Sequence, residues 1–266
     1  MNDPIKNTII LKKKSNGISE VMLNQPSKHN ALSPKMIEEL DEVFDELTED
    51  QNTKVLIISS TGNSFSAGGD LDWMKEQILS DRATRIKEAR KLANLLNKMY
   101  TFSKPLIAKV EGNAFGGGVG IISVCDIAIA TENIKMALTE VKLGLIPATI
   151  SPYVISKIGS NNSIDLFTSA ETFTSQRAKN MGLIKNVTKS DVIDLEIEKE
   201  IIPFLKNAPD AVSASKKLVR ALSTKIDQDT INFTVEALAD VWENSEAIEG
   251  INAFFEKRKP NWLQEK

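Results

Sequence analysis

The chain has one cysteine, Cys125, and one histidine, His29, among its 266 residues. One Cys permits no intramolecular disulfide, and one His cannot build a histidine-rich zinc or iron site. A Ser-His-Asp or Cys-His hydrolase would have to use His29, which sits in the polar, turn-like stretch Gln25-Pro26-Ser27-Lys28-His29-Asn30. His29 therefore reads as a solvated loop residue, Cys125 as a small buried apolar one, and any acid or base is expected to be a carboxylate. A basic excess is also missing. Lys+Arg number 33 against 36 Asp+Glu, a net charge of -3, which argues against a broad nucleic-acid-binding face but leaves room for a local basic patch on a phosphorylated small molecule. No stretch approaches the length of a membrane span. The opening MNDPIKNTIILKKK has no apolar run before a cleavage site, and no Arg occurs before Arg82, so neither secretory nor mitochondrial targeting is expected and a cytoplasmic location is.

What remains is an ordinary globular composition, 41% hydrophobic and 26% charged with 13 Gly and 9 Pro, and enough length for one large α/β domain or one domain with a small appendage. Residues 8–12 and 18–23, separated by Ser15-Asn16-Gly17, predict a hairpin. Ser33-Pro34 opens a helix with Met36, Ile37, Leu40, Val43, Phe44 and Leu47 on one face. VLIIS (residues 55–59) predicts a buried strand. Ile86, Ala89, Leu92, Leu96 and Met99 mark a second amphipathic helix, stopped by Lys104-Pro105. Residues 106–110 and 127–130 read as strands on either side of a glycine-led buried helix at 116–125. This alternation predicts an α/β architecture with parallel pairing. From about Asp191 the spacing is helical only, over 211–222, 230–243 and 247–257.

Three segments carry candidate chemistry. Asn63-Ser64-Phe65-Ser66-Ala67-Gly68-Gly69-Asp70-Leu71 follows a strand, and its small residues let backbone N–H groups face a ligand; a plain strand-to-helix connection would look alike. Gly112-Asn113-Ala114-Phe115-Gly116-Gly117-Gly118-Val119-Gly120 opens the buried helix, where free N–H groups stabilise anionic oxygen. Close helix packing is the rival there. A dinucleotide fingerprint fits badly, since Ser123 stands where its third Gly belongs, and no Gly-Lys-Ser/Thr follows for a P-loop. Two segments each offering an N–H suggest an oxyanion hole. In the third, residues 136–147, Glu140 lies among apolar residues where burial would make it a proton carrier near neutral pH; pairing with Lys142 at the surface is the alternative.

FSAGGDL (65–71), GNAFGGGVGIISVCDIAIA (112–130) and TEVKLGLIP (139–147) together resemble the enoyl-CoA hydratase/isomerase, or crotonase, superfamily. LNQPSKHNAL (23–32) and AFFEKRKP (253–260) look like its N-terminal and C-terminal signatures. The resemblance implies a crotonase-like α/β spiral of ββα turns over residues 1–190. It implies a C-terminal helical region over 191–266 that covers the active site and assembles trimers or dimers of trimers. The implied substrate is an acyl-CoA thioester, with coenzyme A part of the substrate, no separate cofactor and no metal. Its carbonyl oxygen would sit between the N–H groups of Gly69 and Gly117. Ala31 and the stretch Ala67, Gly68, Asp70 and Leu71 fall where the family wraps adenine and pantetheine, and Lys28, Lys257 and Lys259 are candidates for the CoA phosphates. Trp73 either packs under the following helix or lines the acyl pocket.

Hydratases of the family use two glutamates. One matches Glu140; at the other position this chain has Gly120. Hydration of an enoyl-CoA is the leading expectation. Double-bond isomerisation, which needs one shuttling glutamate, is the second, and a non-catalytic acyl-CoA-binding homologue the third. Residues 70–74 and 145–153 look like bacterial methylglutaconyl-CoA hydratase-like proteins, whose substrate carries a distal carboxylate that could help position water. Some family members bind RNA, which the acidic balance argues against here.

Overall fold

The computed structural model describes residues 7–14, 16–223 and 225–263. The expected hairpin forms, β1 (Ile9–Lys13) pairing antiparallel with β2 (Ile18–Leu23); Ser15 of its turn lies outside the described residues. Helix α1 (Pro34–Glu49) starts as its sequence dictates, with Ser33 Oγ accepting from Met36 N at 3.2 Å and Pro34 at the first helical position.

Each following turn of chain lays a strand in one sheet, a short strand in a second, and then turns helical. The first turn is β3 (Val55–Ser60), β4 (Ser64–Ser66), α2 (Leu71–Leu79) and α3 (Arg82–Thr101). The second is β5 (Leu106–Val110), β6 (Asn113–Phe115) and α4 (Gly117–Val124). The third is β7 (Ile127–Thr131), β8 (Lys135–Ala137), a 3-10 turn (Glu140–Leu143) and α5 (Ser151–Ser169). After these come β9 (Phe173–Thr174), α6 (Ser175–Asn180) and β10 (Asn186–Thr188). The large sheet runs β1-β2-β3-β5-β7-β10, parallel from β2 onward, and the small one β4-β6-β8-β9. This is the ββα spiral that the resemblance implied. The small sheet was not foreseen, because strands of two or three residues are too short to show a period of two.

VLIIS is apolar throughout because both its faces are covered. Leu56 and Ile58 point into the main core with Phe44, Leu96 and Leu106. Val55 and Ile57 meet Ile193, Ile197 and Ile201 of α7 (Ile193–Leu205) on the other face. The chain ends in α8 (Pro209–Leu222), α9 (Gln228–Trp242) and α10 (Ser245–Phe255). Ile231 and Val235 of α9 pack on Ala89 and Ala93 of α3, while Ala247 and Ile251 of α10 join Trp242 and Leu145. That last cluster clamps the segment carrying Glu140 to the C-terminal helices. Among the described residues no helix is long and apolar enough to cross a membrane.

Candidate active site

Two of the motif segments are stitched together by backbone. Ala67 N donates to His29 O at 2.9 Å and Leu32 N to Gly68 O at 2.7 Å, with Leu32 and Gly69 bridged in parallel. The CoA-contact candidates sit along this seam: Ala31 and Gly68 are buried, Ala67 and Leu71 exposed. Asp70 is buried and caps α2, its Oδ1 accepting from Trp73 N at 3.0 Å. Lys28 is held by two carboxylates, Asp70 Oδ2 at 3.3 Å and Asp72 Oδ2 at 2.8 Å. Lys257 and Lys259 are exposed just beyond α10, whose end lies against α2 through Lys75 Nζ, 4.3 Å above the Phe255 ring. His29 is exposed, with its Nδ1 3.2 Å from Ser64 Oγ, and Cys125 is buried, which pushes its thiol pKa up.

The glycine triplet opens α4. Gly116 takes φ 47°, a left-handed conformation suited to glycine, and a methyl group on it would come within 2.9 Å of Glu140 Oε1. Gly117 is the first helical residue, so its N–H has no partner within the helix. Neither Gly117 N nor Gly69 N donates to a protein acceptor among the described residues. Both glycines line one cavity of about 110 Å³, and Glu140 lines it with them.

Glu140 begins the 3-10 turn, and its Oε2 is buried with no hydrogen-bond partner. Lys142 is exposed whereas Glu140 Oε2 is buried without a partner, so the surface-pair alternative does not hold. Burial pushes the Glu140 pKa up to about 7, opposed only by a hydrogen bond from its own backbone. A carboxyl that exchanges its proton near neutrality beside two free N–H groups can move a proton at a carbon while the N–H pair holds charge on an adjacent oxygen.

Trp73 and Met74 of α2 line the same cavity, as do Ala89 and Leu92 of α3 and Trp242 of α9. Trp73 thus faces the cavity that holds Glu140 rather than only packing beneath its helix. Gly120 is buried within α4, and a methyl group there would overlap the Ile150 side chain. Ile150 occupies the space a second glutamate would need. Glu88 of α3 also lines the cavity. Sequence reading passed over it, because a lone Glu beside the apolar positions of an amphipathic helix looks like its solvated edge.

The enoyl-CoA hydratase/isomerase family matches residues 13–265. The chain is 32% identical over 261 residues to the short-chain-enoyl-CoA hydratase of Clostridium acetobutylicum, covering 95% of this chain and 96% of that one. It is 31% identical over 247 residues to the 2,3-dehydroadipyl-CoA hydratase of Escherichia coli, covering 90% and 92%. The crystal structure of an enoyl-CoA hydratase from Shewanella pealeana superposes with a TM-score of 0.79 at 36% identity, covering 96% of each chain. The chain belongs to the enoyl-CoA hydratase/isomerase, or crotonase, family.

Proposed function

We propose that this protein adds water across the double bond of a 2-enoyl-CoA thioester. The observation that carries the reading is the desolvated Glu140 carboxyl, its Oε2 without a partner, in a small cavity lined also by Gly69 and Gly117, whose N–H groups have no acceptor among the described residues. The thioester oxygen would accept from both glycines, which stabilises the charge it gains as water attacks C3. Glu140 would deliver the proton that C2 takes up. The CoA moiety would lie along Ala31, Ala67, Gly68, Asp70 and Leu71, with phosphates toward Lys28, Lys257 and Lys259. Leu218, Val219 and Leu222 of α8 and Phe233 of α9 are well exposed apolar residues, which supports self-association, for which the family resemblance suggests a homotrimer or a dimer of trimers.

A substrate bearing a distal carboxylate, such as 3-methylglutaconyl-CoA, is the finer reading. Residues 70–74 and 145–153 support it, as does the name of the Escherichia coli relative, whose dehydroadipyl group ends in a carboxylate. A second reading, isomerisation between 2-enoyl and 3-enoyl positions, is favoured by Gly120, which removes the second family acid. Product analysis on but-2-enoyl-, but-3-enoyl- and 3-methylglutaconyl-CoA separates these. A 3-hydroxyacyl product is expected; double-bond migration without hydration would establish the isomerase, and no turnover at all would leave only binding.

A further inference from the structure

The acyl cavity is lined almost wholly by apolar side chains, and among the described residues only two ionisable groups reach it, Glu140 and Glu88. Glu88 shares the cavity face of α3 with Ala89 and Leu92, at the spacing that puts them on one side of a helix. A charged group set on such a face costs desolvation unless something engages it. Its side chain is only 17% exposed, and Lys91 Nζ lies 2.7 Å from its Oε1. That salt bridge orients the carboxylate and leaves Oε2 for a further partner. The position from which relatives supply a second glutamate is closed here, because Ile150 fills the space beside Gly120.

We infer that Glu88 is the group that holds and deprotonates the attacking water, taking over from across the cavity the role for which Gly120 has no side chain. The inference rests on the hydration reading. One O–H bond of the water breaks and its proton passes to the Glu88 carboxylate as the oxygen bonds to C3. The π electrons of the double bond move into the thioester enolate held by Gly69 and Gly117, and C2 then takes the proton of Glu140. Glu88 leaves the step protonated and Glu140 ionised, and solvent resets both once the product departs. A group poised to give a proton and another held as a salt-bridged carboxylate in one cavity are the acid and base this addition requires.

The test compares two readouts on the full-length native protein, Glu88→Gln and Glu88→Asp. One is hydration of but-2-enoyl-CoA, a neutral substrate that cannot supply a carboxylate. The other is exchange of the C2 protons of butyryl-CoA in heavy water, which requires Glu140 and the oxyanion hole but no attacking water. Glu88→Gln is expected to lose about a hundredfold to ten-thousandfold in hydration while exchange stays within about threefold, with Glu88→Asp between it and the native protein. Hydration by Glu88→Gln at the native rate overturns the inference, and so does a proportional fall in both readouts, which would mark Glu88 as merely structural. Should Glu88→Gln not fold, Glu88→Asp decides: it must lose hydration selectively, and an equal loss of exchange overturns the inference. A native protein that hydrates only substrates with a distal carboxylate, with Glu88→Gln unimpaired on them, overturns the role of Glu88 and leaves the hydration reading standing. Native exchange without hydration of any enoyl-CoA overturns both.

Discussion

The cleft beneath α8, about 820 Å³, gathers Lys157, Lys216, Arg220 and Asp126, whereas the cavity around Glu140 is about 110 Å³ and holds two glutamates. Among the described residues every charge lining the large cleft is engaged. Lys157 Nζ donates to the carbonyls of Cys125 and Asp126 at 2.7 and 3.2 Å, closing the C-terminal end of α4. Lys216 and Arg220 both donate to the Asp126 carboxylate, which also accepts from Leu106 N at 2.7 Å. Among the described residues, the neutral Tyr153 hydroxyl is the one buried side-chain polar atom there without a partner. In the small cavity a carboxyl oxygen and two backbone N–H groups are unpaired. Size therefore does not single out the proposed site; the cluster of unsatisfied polar groups around Glu140 does, because their burial is costly unless a ligand completes them.

The largest effect that would sharpen this contrast is on turnover. Glu140→Gln is expected to keep acyl-CoA binding and lose about a hundredfold to ten-thousandfold in rate, measured by hydration of the best enoyl-CoA together with a binding isotherm. Unchanged turnover would remove Glu140 from the chemistry. The same substitution should show what the orphaned carboxyl costs the unliganded fold. Its folded pKa, about 7, lies above the ordinary 4.5, so between those values the folded state binds more protons than the unfolded one and stability falls as pH rises. Urea titrations should find the native protein losing up to about 3 kcal/mol from this group between pH 4 and 8, a loss absent in Glu140→Gln.

The large cleft should respond in the opposite way. Asp126→Asn leaves Lys216 and Arg220 beside each other without their counter-charge, and is expected to cost about 2 kcal/mol in stability with normal turnover; a change in rate at full folding would break the contrast. The smallest effect concerns the space beside Gly120. Gly120→Ala should destabilise by about 1 to 2 kcal/mol through overlap with Ile150. Adding Ile150→Ala should relieve part of that cost, a coupling that a double-mutant cycle on urea midpoints would read. Additive losses would mean that the two side chains do not share the space.

The sequence by itself determined whatever depends on neighbours within one or two turns. Ser33-Pro34 starts α1 and caps it as written, VLIIS forms a strand covered on both faces, and the glycine triplet opens α4. It also carried the ordered motifs that marked the family and put Gly69, Gly117 and Glu140 forward together. Tertiary structure decided what depends on contacts between distant turns of the spiral. Only packing shows that Glu140 Oε2 is buried without a partner instead of pairing with Lys142, that Ile150 closes the space beside Gly120, and that Trp73 faces the cavity of Glu140. The same holds for Glu88, which is 52 positions from Glu140 by number and shares its cavity because α3 and α9, packed on each other, both line it. A periodic pattern tells which face of a helix is apolar, but not which polar residue at the edge of that face will be sealed in, because that is set by what the rest of the chain lays over it.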